Sequence, residues 1–440
     1  MALDPQSFQL DLIAQLAGRR VCIAYSGGVD SHVLFHLLAS ISGTFKTDIR
    51  AVYVDHGLHA DASLWGKHCQ RVAQELGVPF KSIPVNVKEI DVHGLESAAR
   101  KARYAAFRED LATDEVLLTA QHQQDQAETL ILQLLRGAGP NGLSAMWPET
   151  YVDGLTIIRP LLSTSKADIL DYANKHRLDW IEDPSNADDS INRNYLRQHV
   201  WPSLSQRWPA LEKTVSRSAM HCREASELMH ALAELDAKDV VSAHGQVSIS
   251  ALNTLSLSRQ RNLLRYMIQS RGIVLPSTVI VNRIIYEVCR AGADRNPQVS
   301  WSDVIVRRYR NHLYFDRLDE SRIEQNVISI RDHHAVSYSD TKSLIWERTV
   351  GNGLQSDIFE RELTLQFRQG GESIRLSGHA HHKSLKHLFQ EWLIPPWQRE
   401  QIPLVFADKE LIAVVGYGYA EGYATRDGEE GWLPVLKASF

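Results

Sequence analysis

The chain is poor in cysteine and does not pair what it has: Cys22, Cys69, Cys222 and Cys289 stand far apart, with no CxxC among them. That spacing excludes a disulfide framework, a zinc ribbon and a cysteine-held iron–sulfur site, and it suits a reducing compartment. Long apolar runs are missing too. No segment approaches the roughly 18 residues of a membrane span, and the stretch MALDPQSFQLDLIAQ carries aspartates where a signal peptide would carry positive charge. A soluble cytoplasmic protein with no membrane partner is the expectation. There is no excess of basic charge: 48 Lys and Arg face 53 Asp and Glu, a net charge of -5, so any RNA contact must come from local patches. Internal repeats and low-complexity tracts are absent.

What is present is apolar material for more than one core. At 440 residues and 44% apolar side chains, about 150 residues per domain gives two to four units. Up to about residue 215, short apolar runs alternate with amphipathic stretches: VCIAY before a helix at 31–40, AVYVDH before one near 63–76, VPFKSIPVNV before one at 95–112, EVLLTA before one at 125–136. This rhythm predicts an α/β fold, a parallel sheet flanked by helices, with ligands at the carboxyl ends of its strands. From 216 to about 295 the pattern turns helical, and Met220, Leu228, Leu232 and Leu235, then Leu263, Leu264 and Met267, read as core stripes. Residues 296–365 return to short strand-like pieces, and 366–440, punctuated by glycine and proline, read as a small α/β unit. The expected division is 1–215, 216–330 (mainly helical) and 331–440.

Between the first strand and the first helix stands AYSGGVDSH, residues 24–32. Two glycines let a backbone turn sharply and bring its N–H groups to a ligand, while Ser26, Ser31 and a helix start add donors and a positive dipole end. This is the make-up of a phosphate cradle; a plain strand-to-helix turn capped by Asp30 or Ser31 is the alternative on local pattern alone. The GxxxxGK[ST] loop is absent. Asp30 would repel a bare phosphate, and its presence makes sense if Mg2+ bridges carboxylate and phosphates.

The stretch Ser26-Gly27-Gly28-Val29-Asp30-Ser31 resembles the SGGxDS loop of the PP-loop ATP pyrophosphatases, Rossmann-like enzymes that activate a carbonyl oxygen by adenylation. Further segments narrow the resemblance to the tRNA(Ile)-lysidine synthetases: Val54-Asp55-His56-Gly57-Leu58-His59, the helix from Glu96 through Arg100 and Arg103 to Tyr104, and Thr119-Ala120-Gln121-His122-Gln123-Gln124-Asp125-Gln126-Ala127-Glu128-Thr129. Arg159-Pro160-Leu161-Leu162, Trp180 to Asn186 and Asn192-Arg193-Asn194-Tyr195-Leu196-Arg197 follow in the family's order, and Gly370-Gly371-Glu372, His382 to Lys386 and Ile394 to Arg399 resemble its C-terminal domain. One departure stands out. Many members carry two adjacent aspartates where this chain has Gln124-Asp125, and Asp125, three residues before Glu128 on one helix face, is taken as the functional position.

The resemblance implies ATP and Mg2+ as cofactors, and free L-lysine and an isoleucine tRNA with a CAU anticodon as partners; a homodimer is one open assembly, and the sequence does not set the oligomeric state. It implies two steps, adenylation of the wobble cytosine at its C2 oxygen and displacement of AMP by the lysine ε-amine. Ser26, Gly27, Gly28, Val29, Asp30, Ser31, Asp55 and His56 would bind ATP, Asp30 would hold the metal, and Arg103, Arg193 and Arg197 would stabilise charge at the α-phosphate. Asp125 would take or steer the amine proton, with Glu128 and His122 holding the lysine. Arg100 reads first as a surface partner of Glu96. The NRNYLR segment suits a mobile loop closing over ATP. Basic patches that suit tRNA phosphates lie at 193–223 (Arg193, Arg197, Arg207, Lys213, Arg217 and Arg223 against Glu212), at Arg307, Arg308 and Arg310, and at His379, His381, His382, Lys383 and Lys386. A tRNA thiolase would need paired reactive cysteines, a glutamine-dependent synthetase a source of ammonia, and a non-catalytic RNA-binding relative would release no pyrophosphate.

Overall fold

The computed structural model describes residues 3–4, 8, 12, 16, 18–41, 48–57, 61–87, 95–242, 245–292, 297–318, 327–339 and 342–438. Leu58, His59 and the side chain of Glu96 lie outside the described residues. The chain forms two units, Met1–Leu232 and Ala233–Phe440.

In the first unit, alternation along each strand builds two cores at once. Strand β1 (Arg20–Ala24) pairs in parallel with β2 (Ile49–Asp55) on one side and with β4 (Glu115–Leu118) on the other. Ile23 stands in register with Ala51 and Leu118, and Leu118 with Ile158; all four enter the core that also holds Phe35, Leu37 and Leu38. Their neighbours Cys22, Leu117 and Ile157 point to the opposite face, against Ala106 and Phe107. Both faces are therefore buried, as a parallel sheet requires. The strand order is β3-β2-β1-β4-β6-β5, with β3 at Phe80–Pro84, β6 at Leu155–Ile158 and the antiparallel edge strand β5 at Glu149–Val152. Helices α1 (Val29–Ile41), α2 (Ala62–Glu75), α3 (Leu95–Asp110) and α4 (Gln123–Leu135) make the crossovers, and α5 (Lys166–Lys175) follows β6. Sheet order reverses between β1 and β4, which opens a crevice at their carboxyl ends. Helix α1 begins at Val29, two residues before the expected start, so Asp30 lies in its first turn.

The second unit opens with helices on an antiparallel sheet. Leu263, Leu264 and Met267 of α8 (Leu257–Gln269) pack with Val306 and Leu313 of the sheet β7-β10-β9-β8, whose strands are Val247–Ser248, Gln298–Trp301 (β8), Val304–Tyr309 (β9) and His312–Arg317 (β10). Residues 328–438 are strand-rich: one antiparallel sheet runs in the order Ile328–Ile330, Leu363–Gln366, Leu404–Ala407, Glu410–Val414 and Gly418–Tyr419, another in the order Val336–Ser339, Lys342–Val350, Glu430–Ala438 and Leu354–Gln355, and a short helix, Leu385–Glu391, packs Leu385, Leu388 and Phe389 beside the first. Among the described residues no helix is long and apolar enough to cross a membrane. One expected core stripe is not core. Helix α7 (Leu211–Val240) buries Ala219, Ala233, Asp236 and Val240, while Leu228 and Leu235 are 73% and 58% exposed and Met220 and Leu232 are also accessible. Small side chains mark its inner face, so weighting by bulk selected the wrong side.

Behind the crevice, His32 of α1 lies buried against the edge of the Tyr25 ring. Burial, helped by the nearby His68 and His36, holds its pKa down at about 4. A histidine depressed from its ordinary value of 6.5 stays neutral when folded while the unfolded chain takes up a proton, so its contribution is complete above pH 6.5 and is lost as pH falls toward 4. Unfolding titrations in urea across that window are expected to show stability falling by about 2–3 kcal/mol from this group, and the slope to flatten in His32→Gln.

Candidate active site

The chain turns from β1 into α1 through Ser26, Gly27 and Gly28. Gly27 has a φ of +83°, and a Cβ there would stand 2.7 Å from Ile181 Cδ1 and 3.1 Å from Cys69 Sγ, so only glycine fits. The Ile181 N–H donates to the Gly27 carbonyl at 3.0 Å and latches the loop from outside. From inside, the Ser31 hydroxyl donates to the Gly28 carbonyl at 2.9 Å, accepts from the Ser26 N–H at 3.2 Å and lies 3.0 Å from Ser26 Oγ. The shape is set by the protein, and the first-turn amides of α1, which no intrahelical carbonyl can satisfy, open at the carboxyl edge of the sheet.

Asp30 is the acidic group of that first turn. Its Oδ1 accepts from Lys166 Nζ at 2.5 Å and lies 3.6 Å from His122 Nε2. Burial alone would raise its pKa, but His122 and Lys166 outweigh it and hold the carboxyl at about 2. His122 precedes α4, at the end of β4, and is buried; its backbone N–H donates to Asp125 Oδ2 at 3.1 Å, and its Nε2 lies 3.4 Å from the same oxygen. A side chain in the first turn thus caps the helix, which fixes Asp125 beside Asp30's own neighbour.

One turn on, Glu128 is fully buried as a charged group and is matched by a fork: Arg197 Nε donates to Oε1 at 2.9 Å and Nη2 to Oε2 at 2.8 Å, with Nη2 also 3.2 Å from Asp125 Oδ1. Two parallel charge-assisted bonds are the arrangement that makes a buried carboxylate tolerable. Gln124 Nε2 donates to Glu128 Oε1 at 2.9 Å, so the residue that departs from the family pattern stabilises the carboxylate four positions on. Arg193 donates to Thr129 Oγ1 at 2.8 Å and approaches Glu128 at 3.8 Å. The segment expected as a mobile loop is instead the helix Asn192–Tyr195 (α6) running into a wide π turn, Leu196–Val200, that carries Arg197. Buried Asn194 ties it to the carbonyls of Ser185 and Asp188 at 3.0 and 2.9 Å.

The structure therefore brings Asp30, His122, Asp125, Glu128, Arg193 and Arg197 into one cluster beside the loop of Ser26, Gly27, Gly28, Val29 and Ser31. Asp55, His56 and Arg103 form a second group after β2. Asp55 Oδ1 accepts from the Gly57 N–H at 2.8 Å, and burial first, then the Arg103 charge, depresses the His56 pKa. Sequence reasoning missed two members of the first cluster. Lys166 reaches Asp30 from the start of α5, and Glu212, in the first turn of α7, lies near His122 and the Lys166 backbone; burial raises its carboxyl pKa, against their effect. The signal available for Lys166 was its position, just after the Arg159-Pro160-Leu161-Leu162 segment, at a helix start on the same sheet edge. Arg308 is spent internally on the carbonyls of Arg310, Cys289 and Ala291, so it is not a free phosphate contact.

Arg197→Ala is expected to cost about 2 kcal/mol in chemical unfolding, because it strands a buried carboxylate, discounted for the partial exposure of Arg197. Adding Glu128→Gln should recover most of that loss; an additive double mutant would show that the pair is not coupled.

Comparison with known proteins meets this geometry. A PP-loop domain model matches residues 4–204, a TilS substrate binding domain model 248–314 and a TilS substrate C-terminal domain model 363–437. The chain is 40% identical over 412 residues to the tRNA(Ile)-lysidine synthase of Coxiella burnetii, covering 93% of this chain and 92% of that one. It is 35% identical over 418 residues to that of Legionella pneumophila (strain Paris), covering 95% of each. Among solved structures, the U34-tRNA thiolase NcsA from Methanococcus maripaludis overlaps 50% of this chain and 80% of its own at a TM-score of 0.42 and 15% identity. With relatives this similar along nearly its whole length, and with all three domain models in order, the chain belongs to the tRNA(Ile)-lysidine synthase family.

Proposed function

We propose that the chain ligates free L-lysine to C2 of the wobble cytidine of an isoleucine tRNA with a CAU anticodon, using ATP to adenylate the base, releasing pyrophosphate and AMP, and changing codon reading from AUG to AUA. The observation that carries the reading is the cluster in which a phosphate-loop aspartate, Asp30, is joined through His122 to the paired carboxylates Asp125 and Glu128. One end suits a nucleotide and the other an amine.

In the first step the cytosine C2 oxygen attacks the α-phosphorus and the bond to pyrophosphate breaks. Charge gathers on the phosphate oxygens, where the opening amides of α1 and the guanidinium of Arg193, which gives one of its five donors to Thr129, offer stabilisation. Arg197 is committed to Glu128, so its first task is to hold the carboxylates in place. Arg103, near His56, extends the positive wall on the β2 side. In the second step the lysine ε-amine attacks C2, the C–O bond to AMP breaks and the amine loses a proton. At a reference pKa of about 10.4 only on the order of 0.04% of that amine is free base at pH 7, so a carboxylate must steer or accept the proton. Asp125, 15% exposed where Glu128 is sealed, is the group that reaches the amine.

Asp30 supplies one hard oxygen, and no group of three or more His, Cys, Asp or Glu among the described residues converges as a metal cage. Such a donor set fits magnesium, which keeps waters and phosphate oxygens as its other ligands. When bound it would offset charge on the phosphates. For tRNA, the exposed His379, His381, His382 and Lys386 remain the least committed basic patch.

Purified protein with magnesium ATP, labelled lysine and transcribed isoleucine tRNA bearing CAU is expected to place label in acid-precipitable RNA. Asp125→Asn should lower that rate by about 10²–10⁴-fold while leaving ATP binding intact. Pyrophosphate release by wild type without lysine incorporation would remove lysine or this tRNA from the reading.

A further inference from the structure

We propose that Lys166 is a phosphate-binding residue of the adenylation step, held ready on Asp30, an inference that rests on the ligase reading above. The glycine loop of residues 26–31 contains no lysine of its own, and its one charged residue is an acid. A nucleotide triphosphate approaching the start of α1 therefore meets a carboxylate unless a cation covers it. Lys166 covers it: Nζ stands 2.5 Å from Asp30 Oδ1.

The backbone that carries this ammonium is fixed at a capped helix start. Ser165 caps α5 by accepting from the Asp168 N–H at 3.1 Å, and its hydroxyl donates to Asp168 Oδ2 at 2.7 Å. Only the side-chain arm is left to move, and at 28% exposure it faces the open edge of the sheet rather than the core. An ammonium has three donors, so one can stay on Asp30 while another meets a phosphate oxygen. If the arm turns fully to phosphate, His122 Nε2, 3.6 Å from the same Asp30 oxygen, remains as that carboxylate's neighbour. Lys166 thus provides from a separate helix the charge that other glycine-rich phosphate loops carry within the loop. A triphosphate offers this ammonium more charge and more oxygens than a monophosphate, so its contribution is expected to be larger for ATP than for AMP.

The test is isothermal titration of ATP and of AMP, in EDTA and then in magnesium, into wild type, Lys166→Met and Lys166→Arg. Lys166→Met is expected to weaken metal-free ATP binding about tenfold or more, to change AMP affinity less than about twofold, and to be largely rescued in Lys166→Arg. Equal ATP affinity in wild type and Lys166→Met overturns the inference and leaves the ligase reading standing. Equal losses for ATP and AMP also overturn it, since that is how a residue that merely props Asp30 would behave. A wild-type protein that binds no ATP would remove the ligase reading itself. Should Lys166→Met unfold, Lys166→Gln read by the same ATP-to-AMP ratio decides.

Discussion

A carboxylate with no access to water sits at the centre of the catalytic unit, and much else is arranged around keeping it charged. Glu128 is tolerable there because Arg197 meets both of its oxygens and Gln124 adds a third donor. Those bonds join α4, which starts at the end of β4, to the π turn that follows α6, two parts of the chain with no contact in sequence. With Arg197 drawn in, Asp125 is pulled toward the same guanidinium and Arg193 is brought over Thr129. The fork thus sets where the amine-seeking carboxylate stands relative to the phosphate loop.

From that centre acidic and basic side chains alternate outward. Glu128 is balanced by Arg197, Asp125 lies between Arg197 and His122, and Asp30 lies between His122 and Lys166. Such an order lets a single crevice receive a polyanion and a cation without a large field of either sign. In a medium of low effective dielectric, like charges a few ångströms apart would otherwise interfere strongly with one another. The cysteines take no part: burial raises the thiols of Cys22, Cys69 and Cys289 to about 12, where they are unreactive.

The α/β architecture was legible because each central strand is a short continuous apolar run, buried on both faces, between amphipathic helical stretches. The tie between Asp125 and Glu128 was legible for the same local reason, three residues on one helix face. Contacts made by strand order were not legible. Lys166 arrives at Asp30 because β6 lies beside β4, a fact no window of sequence contains. The long helix Leu211–Val240 misled through side-chain size, since its inward face carries Ala219, Ala233, Asp236 and Val240 rather than its leucines. Arg308 misled through charge: a basic cluster in sequence says nothing of which guanidiniums are already spent on nearby carbonyls. Gln124, which looked like a weakened catalytic position, is explained only by the acceptor that it faces.

The latch between Ile181 and Gly27 bears on how the protein is made. The SGGVDS stretch leaves the ribosome early, together with the strand before it, yet the residue that holds its backbone and fills the space a Cβ would need lies far down the chain, beyond β6 and α5. Until that segment emerges, the glycine turn has only the Ser26 and Ser31 bonds to shape it. A nascent or truncated chain that stops short of residue 181 therefore carries the motif without its outer latch.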